Sequence, residues 1–155
     1  MNLVEPPAPD PAWPRYSTLP FPVYRFVPGR SPHPRRDPRG HAYGAPDLPP
    51  PRVTPERWRE NDVYLQGIDL YNYAYWWECH EALEGLWHLT GHEGLEAQFL
   101  QGIIQTAAAN LRRFVGSPEG ARRLGMAARR KVVAKYHLGR NVERLAQEFR
   151  ARLAT

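Results

Sequence analysis

Sixteen of the 17 prolines lie within residues 1–55, and only Pro118 lies beyond them. Proline lacks a backbone N–H, and its ring collides with the preceding helical turn, so no long helix forms before Thr54. The following stretch of about 100 residues is nearly free of that constraint and is long enough to bury a core of its own. The chain therefore divides into an extended, Pro-rich arm over residues 1–54 and a helical domain over residues 55–155. The arm is not composed like a disordered tail, which would be depleted in aromatics. It carries Trp13, Tyr16, Phe21, Tyr24, Phe26 and Tyr43. Asp-Pro, Pro-Arg-Gly and Tyr-Gly turn signals follow between Asp37 and Gly44. These features predict an arm that is ordered from about residue 20 and packed on the helices.

Helix signals begin at Thr54-Pro55-Glu56, where Thr can cap, Pro suits the first helical position and an acid meets the positive end. A first helix is predicted from there to about Tyr71, with Asn72 as the left-handed turn residue. A second runs from about Ala74 to Leu89, broken by Thr90-Gly91-His92. A third runs from about Gly94 to Val115 and is apolar on most sides, which predicts burial. Ser117-Pro118-Glu119 repeats the capping signature and opens a fourth helix to about Tyr136, and a short fifth follows Gly139-Arg140-Asn141. No alternating strand pattern occurs after Thr54. The prediction is all-α: an antiparallel bundle of about five helices with short connections.

Charge is distributed unevenly. Residues 1–55 carry a net +3, residues 56–94 a net −6 and residues 95–155 a net +8. The basic end would give weak, non-specific nucleic-acid binding, although a solvated face is the commoner reason for such a pattern. The single Cys79 excludes an internal disulfide framework and a cysteine-based zinc site. No secretory signal or membrane-spanning run is recognised, so a cytoplasmic protein without a membrane partner is expected. A homo-oligomer is left open.

The second helix carries the chemistry-bearing residues: Trp77-Glu78-Cys79-His80-Glu81-Ala82-Leu83-Glu84, with Trp87 one turn on. With Glu78 placed at 0° and about 100° per residue, His80 falls near 200°, Glu84 near 240° and Glu81 near 300°. Cys79 lies on the apolar arc and reads as inert core. His80 sits at the edge of that arc, and His80–Glu84 is an i,i+4 pair able to touch. One imidazole flanked by carboxylates can orient a ring, poise a proton or hold a divalent metal, so His80, Glu81 and Glu84 are the candidate catalytic and metal-ligating residues. The same residues also read as a structural hydrogen-bonded cluster. On the third helix, Gln101 and Gln105 share a side and would need buried partners if that helix is central. They are predicted to form a polar pocket floor with Glu78, Trp77, Trp87 and Asn110, near which His33 and His41 of the arm would lie.

Three runs carry a family resemblance: Gly67-Ile68-Asp69-Leu70-Tyr71-Asn72, then Tyr75 to Trp87, then Phe99-Leu100-Gln101-Gly102-Ile103-Ile104-Gln105. Together they resemble the Domain of Unknown Function 309 family. Tyr24 to Gly29, His33-Pro34 and Gly40 to Gly44 resemble the branch with an N-terminal extension. The resemblance spans about residues 20–135 and implies a small all-α fold without an established activity. It maps the family's Glu-x-His-Glu-x-x-Glu run onto Glu78, His80, Glu81 and Glu84. Family members often carry a polar or basic residue near Asn110-Leu111.

Two functions compete. One is a metal-assisted hydrolase or small-molecule binder with its pocket between the second and third helices. The other is a non-catalytic binding or scaffold module for a peptide, protein or nucleic acid.

Overall fold

The computed structural model describes residues 13–116 together with Gln147. Among them every regular element is helical and there is no strand. Residues 13–57 form extended chain and turns, as their prolines dictate. A 3₁₀ turn over Trp58–Glu60 leads into α1 (Asp62–Asn72), then α2 (Trp76–Leu89) and α3 (Gly94–Gly116). The fourth and fifth helices anticipated from the sequence fall outside the described residues.

Helix α1 starts later than Thr54-Pro55-Glu56 implies. Its cap is Asn61, whose side chain accepts from Tyr64 N at 2.8 Å. Asn61 also donates Nδ2 to Pro51 O at 2.7 Å and is buried, so one amide caps the helix and holds the incoming chain. The exit also differs. The left-handed residue is Ala74 (φ 64°), not Asn72. Tyr75 N reaches back to Leu70 O at 2.8 Å, and Ala74 N to Tyr71 O at 3.1 Å. Tyr73 and Tyr75 flank Ala74 and are both buried. Burying two tyrosines fixes the turn between them, overriding the conformational preference of Asn72.

Helix α2 packs against both α1 and α3. The core joins Tyr64, Ile68 and Leu70 of α1, Cys79, Leu83 and Leu86 of α2, and Leu100, Ile104 and Ala107 of α3. Gly67 allows the α1–α2 approach, because a Cβ there would lie 2.9 Å from Leu83 Cγ. Helix α3 departs from the all-round burial its sequence predicts. Ala97, Leu100, Ile104 and Ala107 form one buried stripe, while Gln98, Gln101, Gln105 and Thr106 are exposed. A helix that packs on one side buries one stripe.

Carboxylates of α1 and α2 hold the segment before α1. Asp69 is fully buried and accepts Tyr16 N at 3.0 Å on each oxygen and Ser17 N at 2.9 Å. Asp62 accepts from the Ser17 hydroxyl at 3.0 Å and the Thr18 hydroxyl at 2.9 Å. Phe21 stacks on Tyr75 with ring centroids 5.1 Å apart. Tyr73 donates its hydroxyl to Trp13 O at 3.1 Å. Among the described residues, no helix is long and apolar enough to cross a membrane.

Candidate functional site

The polar residues singled out in the sequence separate into distinct groups in space. Glu78, in the first turn of α2, is buried beneath residues 24–41. Its Oε1 accepts Phe26 N at 2.7 Å and lies 3.3 Å from His41 Nε2. Its Oε2 is buried with no hydrogen-bond partner. Tyr24 packs edge-on to the His41 ring, and its hydroxyl accepts His41 N at 3.3 Å. Phe26, His33 and Trp77 form a mutual aromatic contact beside them, with ring centroids 5.1–5.4 Å apart. Glu78, Trp77, His33 and His41 are therefore brought together, by the arm rather than by α3.

His80, Glu81 and Glu84 form a second group on another side of α2. His80 Nδ1 lies 3.6 Å from Glu81 Oε1 and 3.8 Å from Glu84 Oε2. These are ion-pair separations, too long for hydrogen bonds. His80 Nδ1 is itself buried and without a hydrogen-bond partner. One donor atom from each of the three residues lies within 4.8 Å of the others, a spacing that can hold a metal ion. The side chains are 31–38% exposed, so solvent reaches the group. Glu81 beside the ring raises the His80 pKa above its ordinary value; burial opposes this and the charge of Glu84 adds to it. A ligating imidazole must be deprotonated, so metal would have to displace that proton.

The remaining candidates stand apart. Gln101 and Gln105 are exposed, which corrects the expectation that they floor a pocket with Glu78, Trp77, Trp87 and Asn110. Asn110 donates Nδ2 to the Tyr71 hydroxyl at 3.4 Å. Trp87 packs against the core and stacks on His92. Cys79 is fully buried, and burial pushes its thiol pKa up, which leaves it inert. A partly open, mostly apolar cleft lined by Arg25, Val27, Ala74, Trp76, Leu111 and Phe114 holds about 10 Å³, too little for a metabolite.

Sequence reasoning assigned no role to Asp62 or Asp69, although Asp69 meets backbone donors of the arm and Asp62 meets hydroxyl and backbone donors. The available signal was Asp69 itself, an acid set between Ile68 and Leu70 on a core-facing stretch. A buried acid implies donors that bring their hydrogen bonds to it.

A family model described as "Domain of unknown function (DUF309)" matches residues 64–124. No curated protein and no solved structure matches. The matched segment contains α2 with His80, Glu81 and Glu84, and excludes the segment that covers Glu78.

Proposed function

We propose that this chain, whose residues 64–124 match the DUF309 family model, binds a divalent metal ion at His80, Glu81 and Glu84 and uses it in metal-assisted hydrolysis. One observation carries the reading: His80 Nδ1 is buried without a hydrogen bond while two carboxylate oxygens flank it at 3.6 and 3.8 Å. Ligands held about 2.1 Å from a tetrahedral ion stand about 3.4 Å apart, so a small contraction would bring all three donors onto one ion. Three protein ligands on a half-exposed surface leave coordination positions for water and substrate, as in catalytic rather than structural sites. A metal there would lower the pKa of a bound water and polarise a carbonyl or phosphoryl oxygen. The chain's own residues would supply charge and geometry. The two carboxylates neutralise the ion, and His80, anchored at the edge of the core, sets its position.

The same reading keeps an ordered arm and a five-helix antiparallel bundle as the scaffold of a cytoplasmic enzyme. Nucleic-acid binding through the basic residues 95–155 would be weak and salt-sensitive.

The test combines elemental analysis of the purified protein with thermal melts in Zn²⁺ or Mn²⁺. Metal at 100 times its dissociation constant should stabilise the folded protein by about 2.7 kcal/mol. The shift should vanish in His80→Ala and fall in Glu81→Gln and Glu84→Gln. If no divalent ion moves the wild-type midpoint and all three variants are strongly destabilised, the cluster is a structural knot.

A further inference from the structure

A pair of nitrogen donors closes the turn between α2 and α3. His88 Nδ1 and His92 Nε2 lie 2.9 Å apart. Both residues are exposed. Trp87 stacks on the His92 ring with centroids 3.8 Å apart and planes 19° from parallel. The turn is held by its own hydrogen bonds. Gly91 N donates to His88 O at 3.2 Å, the Thr90 hydroxyl donates to Trp87 O at 2.7 Å, and His92 N donates to Thr90 Oγ1 at 3.2 Å. His92 adopts a left-handed backbone (φ 66°) that side chains other than glycine rarely take. That conformation folds its ring back over the helix end, against both Trp87 and His88.

Two ring nitrogens this close can share one proton, one donating and the other accepting. A metal ion that replaces the proton would sit off the line between the two nitrogens, with each ring turned so that its lone pair points to it. Nitrogens bound at about 2.05 Å in adjacent positions of a square-planar or octahedral ion are about 2.9 Å apart, against about 3.4 Å on a tetrahedral ion. The observed spacing matches the first geometry. Imidazole without carboxylate also suits copper and nickel better than magnesium, calcium or manganese.

We propose that His88 and His92 form a bidentate site for a tetragonal divalent transition-metal ion, Cu²⁺ before Ni²⁺, with water in the remaining positions. The site differs from the His80 cluster in its ligands, although Glu84 stands one turn before His88 on α2. Its ligands are two imidazoles, where that cluster offers one imidazole and two carboxylates.

The stacked indole provides the readout. Tag-free full-length protein is titrated with CuCl₂, and separately with ZnCl₂ and MgCl₂, while tryptophan emission is followed. Electron paramagnetic resonance of the copper-loaded sample reports the ligands. Cu²⁺ should quench part of the emission at one equivalent, with a tetragonal signal split by nitrogen. The two-nitrogen splitting and the quenching of Trp87 should be lost in His92→Gln and in His88→Gln, both exposed positions, and any copper left at the His80 cluster should show a single nitrogen. Both should persist in His80→Ala. Mg²⁺ should do nothing, and Zn²⁺ should bind more weakly than Cu²⁺. Unchanged copper binding in the two histidine-to-glutamine variants, loss of the signal in His80→Ala, or a stronger response to Zn²⁺ would each overturn the assignment.

Discussion

Replacing Asp69 by Asn is predicted to release the segment around Tyr16 and to lower stability by about 3 kcal/mol. The side chain is fully buried and accepts Tyr16 N and Ser17 N at 2.9–3.0 Å, with Arg15 Nε 3.7 Å from Oδ2. Hydrogen bonds to a charged group contribute about 1.5–3 kcal/mol each, and a stranded buried donor costs about 1–3 kcal/mol. Asparagine keeps one acceptor oxygen but turns an NH₂ toward backbone N–H groups, so at least one donor loses its partner. Breaking a buried charged interaction costs about 3–5 kcal/mol. The lower end applies because burial already penalises the carboxylate, raising its pKa against the pull of Ser17 N and Tyr16 N. For a chain of this size each kcal/mol moves the melting midpoint by about 2–4 °C, which gives a fall of about 6–12 °C. Thermal denaturation followed by circular dichroism measures the shift, and trypsin cleavage after Arg15 and Arg25 measures release of the segment. An Asp69→Asn variant that melts within about 1 °C of wild type and resists trypsin equally would refute the clamp.

At a pH where His80 is deprotonated, Glu81→Gln should leave stability unchanged or raise it, because removing the carboxylate relieves repulsion with Glu84; a melt at that pH without metal checks this. The raised His80 pKa means that the folded protein holds this proton more tightly than the unfolded chain does. The His80 contribution to stability is therefore full below the ordinary imidazole value of 6.5 and is lost as pH rises through the higher folded-state value, so wild type minus His80→Ala should shrink across that window in paired melts. Metal affinity at the cluster should run the opposite way, strengthening as pH rises and the ring deprotonates, which calorimetric titration at several pH values would read. Gly67→Ala should destabilise by about 1–3 kcal/mol through overpacking against Leu83, and adding Leu83→Ala should cost less than the sum of the two, as a double-mutant cycle would show.

The sequence revealed each element where a local rule coincided with what the core required. The three described helices were visible in their apolar spacing, and the end of α2 in Thr90-Gly91. The start of α1 was misread because Thr54-Pro55-Glu56 satisfies every local capping rule. Asn61 wins on tertiary grounds, since it caps the helix and binds Pro51 O at once. The polar faces were misread for a related reason. A helical wheel shows which residues share a side but not which neighbour meets that side. Glu78 shares the Glu-x-His-Glu-x-x-Glu run with Glu81 and Glu84, yet the backbone of Phe26 claims it. Gln101 and Gln105 looked buried only because α3 looked central.

The acidic residues of this stretch sort by what reaches them. Asp62, Asp69 and Glu78 each accept a hydrogen bond from the arm, so each is explained by the donors it satisfies. Glu81 and Glu84 accept none among the described residues. Together with His80 they bring donor atoms within 4.8 Å of one another. Two like charges one turn apart destabilise a helix, and the fold gains no buried donor in return. The nearby imidazole offsets that repulsion only while it is protonated, and its Nδ1 still lies beyond hydrogen-bonding distance of either oxygen. A divalent cation would change the balance. It would turn the repulsion between the carboxylates into a shared attraction and give His80 Nδ1 the partner it lacks. The structural account thus covers the three acids held against the arm and stops at the two that face solvent, where the proposed metal would account for the arrangement.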